Sequence, residues 1–331
     1  MTTLDTGGFS HKGARPHNED ALLLCDDLGL YAVADGVGGV KGGEVASSIV
    51  CATLEAGLRA GHSLTVAMDQ AHADILGAAS RGEGVPGSAS TAVAVTLKGS
   101  QLELAWVGDS RAYLWDGQLQ LLSKDHSLVQ SLVDTAQLDF AEMEQHPQKN
   151  IISQALGSRN GAPVTASKQG LLRTPCVIML CSDGVSGELS EEMLINTLSS
   201  DNSAQHCART LVEAAVNGGG QDNASCIVIR VPRLDASAAD ESRLAFMRFG
   251  PDKRWHLADA PATEDTRVNP SLQEGDQTLA IAATASDSAP SGARTMFRVA
   301  LGFIALAAMA YAVEQTVTWS SLLELLRRGQ G

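Results

Sequence analysis

Short apolar runs of strand length recur through the first 231 residues, broken by four longer stretches with helical periodicity. The runs at 21–24, 30–34, 91–97, 102–107, 112–115, 118–122, 176–181 and 225–231 are rich in Val, Ile, Leu and Ala and bounded by Gly, Asp or Ser, which predicts strands. Asp116-Gly117, between two of them, predicts a two-residue hairpin. Over 43–59 the apolar positions Val45, Ile49, Val50 and Leu54 share one helical face, and Ser63 is placed to cap a second helix over 64–79. Two further helices are predicted over 190–198 and 203–216, with Ser190 and Ser203 as N-caps. Strands clustered together with helices segregated around them predict an α+β fold in layers rather than a βαβ repeat.

Aspartates mark the edges of these runs. Asp35 closes Tyr31-Ala-Val-Ala, Asp109 follows Leu104-Ala-Trp-Val-Gly, and Asp183 follows Val177-Ile-Met-Leu-Cys-Ser. Asp222 precedes the strand at 225–231, and Asp20 precedes Ala21-Leu-Leu-Leu24. One carboxylate at a strand end is ordinary; a set at the ends of several buried strands can converge. Crowded carboxylates repel unless a cation neutralises them, and an all-oxygen ligand set suits Mg²⁺ or Mn²⁺. The pattern points to a hydrolase built around hard divalent metals.

The formal net charge of −14 argues against a nucleic-acid partner, since phosphate backbones need a basic face. The six cysteines fall mostly in apolar stretches without a CxxC pair, as reduced packing residues of a cytosolic protein do. Residues 1–10 have neither the basic start nor the apolar core of a signal peptide.

Residues 233–294 change character. Ala, Ser, Asp, Pro and Gly dominate and apolar periodicity fades, which predicts a disordered linker after a domain at 1–232. The run 299–313 then carries no charge over 15 residues. With Met296 and Phe297 included, and Arg298 snorkelling, it approaches the roughly 17–20 residues that a spanning helix needs. A transmembrane helix at 296–313 with a tail at 314–331 is therefore expected. Arg294 and Arg298 on its near side favour a cytoplasmic catalytic domain anchored to the inner membrane.

Seven short motifs occur in order: Arg15-Pro-His-Asn-Glu-Asp20, Val33-Ala-Asp-Gly-Val-Gly-Gly39, Val107-Gly-Asp-Ser-Arg-Ala-Tyr113, Asp125-His-Ser127, Ala155-Leu-Gly157, Cys181-Ser-Asp-Gly184 and Gly220-Gln-Asp-Asn223. Together they resemble the bacterial branch of the protein phosphatase 2C (metal-dependent Ser/Thr phosphatase) family, over residues 8–232. The resemblance implies a four-layer αββα sandwich of two antiparallel sheets flanked by helices. It implies hydrolysis of phosphoserine and phosphothreonine in phosphoproteins by a metal-bridged hydroxide, without a phosphoenzyme. Two Mn²⁺ or Mg²⁺ ions are implied, bridged by Asp35, with the Gly36 carbonyl facing one of them. Asp183 and Asp222 are implied as ligands of one ion, and Asp20 with Glu19 as mostly water-mediated support of the other. Asp109 resembles a ligand of a third, more weakly held ion shared with Asp183. Arg15 is implied as the receptor of the substrate phosphate, where a guanidinium fork suits two phosphate oxygens. The stretch 127–150 maps onto a mobile flap, and a Ser/Thr kinase is the implied opposing partner.

The chain departs from eukaryotic relatives at Val37, where they carry a histidine proposed as general acid; no acid is assigned here, and His17, His126 and His146 are read as structural. A cysteine phosphatase is excluded, because the residues six positions after the cysteines are Tyr31, Gly57, Ser182, Gly187, Glu213 and Pro232, with no arginine. The Gly36–Gly43 stretch lacks the spacing of a nucleotide-binding loop, since Gly42 follows Lys41. The competing readings are a catalytically silent adaptor of the same fold and a small-molecule phosphomonoesterase.

Overall fold

The computed structural model describes residues 4–38, 42–172, 175–232 and 244–258. The expected spanning helix at 296–313 and tail at 314–331 lie outside the described residues, as does most of the expected linker.

The chain opens with β1 (Asp5–His11), β2 (Asp20–Cys25) and β3 (Leu30–Val37), then α1 (Gly42–Arg59) and α2 (Leu64–Arg81). Five strands follow: β4 (Ala89–Ser90), β5 (Ala92–Lys98), β6 (Gln101–Val107), β7 (Arg111–Trp115) and β8 (Leu119–Leu121). The flap region holds α3 (Leu128–Asp134) and a 3₁₀ turn, Phe140–Gln145. Then come β9 (Ala166–Leu171), β10 (Cys176–Cys181), α4 (Asp183–Ser186), α5 (Glu191–Leu198), α6 (Ala204–Asn217), β11 (Ala224–Val231), β12 (Met247–Phe249) and β13 (Trp255–Leu257). One sheet runs β1-β11-β10-β7-β8-β12-β13, and the other β2-β3-β5-β6-β9 with β4 on β3. All pairings are antiparallel.

The two-residue period of each strand builds the layers. Tyr31, Val33, Val93, Val95, Leu104 and Trp106 point inward from one sheet and meet Leu114, Ile178, Leu180, Ile227 and Ile229 from the other. The alternate residues Ala32, Ala34, Ala92, Ala94 and Ala105 face outward and pack under α1 and α2. On the opposite face Val177, Met179, Cys226 and Val228 meet Cys207, Leu211 and Val212 of α6. The alanines matter: small side chains let two helices lie close on the sheet. Ser63, Ser190 and Ser203 cap α2, α5 and α6 through their hydroxyls, as the sequence predicts. The expected four-layer sandwich is present.

Three features differ from expectation. The β7–β8 connection is a three-residue loop, because Trp115 pairs with Leu119 and the apex falls on Gly117 at φ +102°. β1 and β9 escaped the hydrophobic pattern. β1 carries Gly7 and Gly8, and a Cβ on Gly7 would sit 2.2 Å from the Gln205 backbone of α6. β9 carries a buried lysine, Lys168, whose Nζ donates to the Leu122 carbonyl at 3.0 Å. Third, residues 244–258, inside the expected linker, form β12 and β13 and extend the first sheet beyond β8. Their flanks are rich in Ala, Ser, Asp and Pro, and two three-residue strands are too short to show a period and acquire their partner only from β8.

Leu180 is fully buried between the sheets. Leu180→Ala should lower unfolding free energy by about 2–5 kcal/mol, as other buried leucine truncations do, seen as a lower urea midpoint at unchanged m-value.

Candidate metal centre

The inward face of β3 continues from Tyr31 and Val33 to Asp35, so the same alternation that buries the core aims this carboxylate between the sheets. Asp20 of β2 stands directly opposite Asp35 in the register. Directly paired residues share a face, and like charges so placed repel. From the other sheet, β10 ends at Cys181 and α4 begins at Asp183, while Asp222 lies two residues before β11. Asp109 sits in the turn between β6 and β7. The fold thus collects at one edge of the sandwich carboxylates that are up to 202 positions apart in sequence, Asp20 and Asp222 being the extremes.

Electrostatics records the crowding. Burial, then the charges of Asp20, Asp183, Asp109 and Asp222, holds the Asp35 carboxyl well above the usual range. Burial is also the main cause for Asp20, pushed up to about 7, and for Asp109, pushed up to about 8 with Asp183 adding repulsion. Asp183 is raised by burial and by Asp222, and a hydrogen bond with Asp35 partly offsets this. The Asp20 carboxylate accepts from Ser182 Oγ at 3.0 Å through Oδ2. Its Oδ1, and Oδ1 of Asp183, are buried with no hydrogen-bond partner. A buried orphan oxygen costs about 1–3 kcal/mol, more when charged, and two in one acidic cluster are what a cation would relieve.

The backbone leaves room beside them. A Cβ on Gly43 would come within 2.5 Å of the Gly36 carbonyl oxygen and 2.9 Å of the Glu19 carboxyl carbon. Glycine at 43 therefore keeps open a cradle edged by the Gly36 carbonyl and the Glu19 carboxyl. Among the described residues no three such side chains alone could hold an ion. A cation here must complete its shell with water and backbone oxygen, as Mg²⁺ commonly does. With those donors added, the residues fit hard divalent ions.

Arg15 stands at the mouth of a cleft of ≈ 130 Å³ whose walls include Asp109, Arg111, Asp183 and Asp222. Its Nη2 donates to Asp222 Oδ2 at 2.7 Å and its Nε to the Gln221 carbonyl at 3.2 Å. About half of its side chain is solvent-exposed, so it faces the approach to the cleft.

Three residues that sequence reasoning left without a role hold this arrangement. Asn223 donates through Nδ2 to the Lys12 and His17 carbonyls and accepts from the Glu19 N–H, tying the Arg15–Asp20 segment to β11. Ser182 joins Asp20 to β11, since its hydroxyl also accepts from the Ser225 N–H. Arg111 is largely shielded from solvent, forks onto Asp125 with Nη2 at 2.7 Å, and reaches Glu144 of the flap at 3.0 Å. The motifs contained all three; the signal was a buried-sheet context for polar residues, which only the register reveals. His126 is structural: burial pushes it down to about 4, Nδ1 accepts from the Gly108 N–H, and the ring stacks on Trp106. Val37 is exposed, and the flap is anchored by buried Val129 and Met143.

A double antiparallel sandwich with a carboxylate cluster at the shared edge of its sheets defines a class of α+β proteins built to hold hard cations. Residues 7–218 match the model of protein phosphatase 2C. The serine/threonine protein phosphatase PstP of Mycobacterium tuberculosis is 31% identical over 304 residues, covering 87% of this chain and 56% of that protein. A serine/threonine phosphatase of Listeria welshimeri is 30% identical, over 65% of this chain and 90% of its own. The crystal structure of mycobacterial PstP superposes with a TM-score of 0.63 at 32% identity, covering 70% of this chain and 99% of that one. Its catalytic domain has also been solved in complex with two manganese ions, with a TM-score of 0.61 at 31% identity over 70% of this chain and 99% of that one. The chain belongs to the protein phosphatase 2C family.

The raised carboxyls set a pH dependence. A carboxyl with a higher pKa in the folded state stabilises the fold below its unfolded value, near 3.8, and this contribution is lost as pH rises through the folded value. In EDTA, stability relative to Asp20→Asn should therefore fall between about pH 4 and pH 7. Mn²⁺ at a hundred times its dissociation constant should restore about 2.7 kcal/mol per site; thermal melts at several pH values measure both.

Proposed function

We propose that this chain is a metal-dependent protein serine/threonine phosphatase using Mn²⁺ or Mg²⁺. The observation that carries the reading is a partly buried Asp35, aimed between the sheets amid four further carboxylates, two with orphaned oxygens, beside an arginine lining the cleft. The printed names of the relatives and the manganese-bound PstP structure support it.

In this reading Asp35 would be shared by two ions, with Asp183 and Asp222 holding one, Asp20, Glu19 and the Gly36 carbonyl supporting the other, and Asp109 beside Asp183 available to a third. When bound, such ions acidify water and neutralise the phosphate's negative charge. The protein's own part is placement. Arg15 offers two parallel donors to the phosphate oxygens and counters the charge that builds on them. Arg111, held by Asp125, fixes the wall beyond Asp109 and keeps a positive charge near the acidic cluster. Asn223 and Ser182 fix the two strand ends so that the carboxylates meet at all. A silent adaptor would retain buried, unneutralised acids at a cost to its stability and with no return, which counts against that alternative.

Phosphoproteins are the proposed substrates and a Ser/Thr kinase the opposing partner; the chain's acidity disfavours nucleic acid. Among the described residues no helix is long and apolar enough to cross a membrane. The uncharged run 299–313 is nonetheless the proposed tether to the inner membrane, with the catalytic domain on the cytoplasmic side.

Asp35→Asn and Asp222→Asn should abolish Mn²⁺-dependent hydrolysis of phosphothreonine peptides while circular dichroism stays that of the parent. Arg15→Ala should lower kcat/KM by about ten- to a hundredfold, the weight of a hydrogen bond to a charged group. Preference for nucleotides or sugar phosphates over phosphopeptides would instead identify a small-molecule phosphomonoesterase. For the tether, the full chain should sediment with membranes and a chain ending at residue 267 should not.

A further inference from the structure

Residues 244–258 follow the sandwich in sequence yet are bound into it at both ends. Leu244 is fully buried in the core between the sheets. It lies over Gly170 of β9, where a Cβ would come within 2.9 Å of its side chain. Its carbonyl accepts from Lys168 Nζ at 3.4 Å, and that ammonium also lies 5.7 Å from the Phe246 ring centre. The Phe246 N–H donates to the Leu121 carbonyl at 2.7 Å, and Met247 then pairs with Leu121, so β12 is fastened to β8. A tight turn with Lys253 at φ +60° reverses the chain into β13.

That reversal delivers Trp255 to the flap. Its ring lies 5.4 Å from Phe249, 6.3 Å from Tyr113 of β7 and, edge-on, 6.2 Å from Phe140. Its indole N–H donates to Glu191 Oε1 at 2.8 Å, and Lys253 pairs with Glu192 at the start of α5. Phe140 opens the 3₁₀ turn that carries Met143 and Glu144 into the wall of the phosphate cleft. The turn is also held by buried Met143 and by Glu144 on Arg111, and Glu144 is 43% exposed. A half-exposed ion pair is weak and screened by salt, whereas an aromatic edge contact backed by a core-anchored hairpin is not.

We propose that Trp255 is a positioning residue for the cleft: the 244–258 hairpin braces the flap through Phe140 and so sets where Met143 and Glu144 meet a phosphopeptide. Substrate affinity then depends on a segment that lies beyond the part of the chain matched to the family model. The kinetic consequence rests on the phosphatase reading; the mechanical one does not.

The test uses the full chain with Mn²⁺. In Trp255→Ala, amide hydrogen exchange over residues 139–146 should accelerate by about two- to tenfold, the range for loss of one aromatic pair, with β10 and β11 unchanged. KM for a phosphothreonine peptide should rise by a similar factor, about two- to tenfold, while turnover of a small aryl phosphate stays within about twofold. Trp255→Phe should recover most of both effects. Phe140→Ala should reproduce them, and the double variant should be no worse than either single one, which keeps the test decisive even if Trp255→Ala fails to fold. Unchanged exchange at 139–146, or acceleration spread equally into β10 and β11, would overturn the brace. Accelerated exchange with an unchanged KM would overturn its part in substrate handling. A wild-type chain inactive on all phosphoesters would overturn the phosphatase reading, and the exchange result would still decide the brace.

Discussion

Mutual repulsion among buried carboxylates is the constraint around which this molecule is organised. Asp20 and Asp35 are paired across neighbouring strands, and Asp183 reaches Asp35 from the other sheet. Left to themselves these groups would separate or take up protons, as their raised pKa values record. They stay because each is attached to a strand end whose interior positions are already committed to the core. The hydrophobic effect holds the layers together, and the layers hold the acids in a cluster that solvent alone would disperse.

The long helices contribute mainly as cover, with only the first turn of α1 and the short α4 reaching the acidic cluster. α1 and α2 cover one sheet and α6 the other, so neither face of the sandwich is left for a ligand. The shared edge is where the two sheets end and where backbone groups are not consumed by the ladder. Glycine supplies the remaining space, with Gly43 leaving the Gly36 carbonyl and the Glu19 carboxyl uncovered. A methyl group at that position would occupy the cradle.

Much of this was legible in the sequence because two codes coincide. Short apolar runs announced β3, β5, β6, β10 and β11, and acids stood one or two residues beyond the ends of most of them, so strand and acid were read together. What stayed hidden was structure whose stability comes from partners distant in sequence. β9 reads as polar because Lys168 satisfies carbonyls of Leu122 and Leu244 rather than water. β12 and β13 are three residues each, too short for any period to show, and acquire meaning only through β8 and Phe140. Asn223 and Ser182 were visible in the motifs, but their role is to join strands, and joining is a property of register. Arg111 could be seen beside Asp109; that its fork goes to Asp125 and the flap could not.

The Asn223 amide has a temporal consequence. It spans 211 positions to reach the Lys12 carbonyl, and β1 likewise finds its partner only in β11. During synthesis the first acidic segment leaves the ribosome long before the strand that secures it, at about 5–20 residues per second. For that interval a nascent chain carries Asp20 and Asp35 without the wall that encloses them. The carboxylate cluster is thereby completed only when nearly the whole sandwich has been translated, and a prematurely terminated product lacks it.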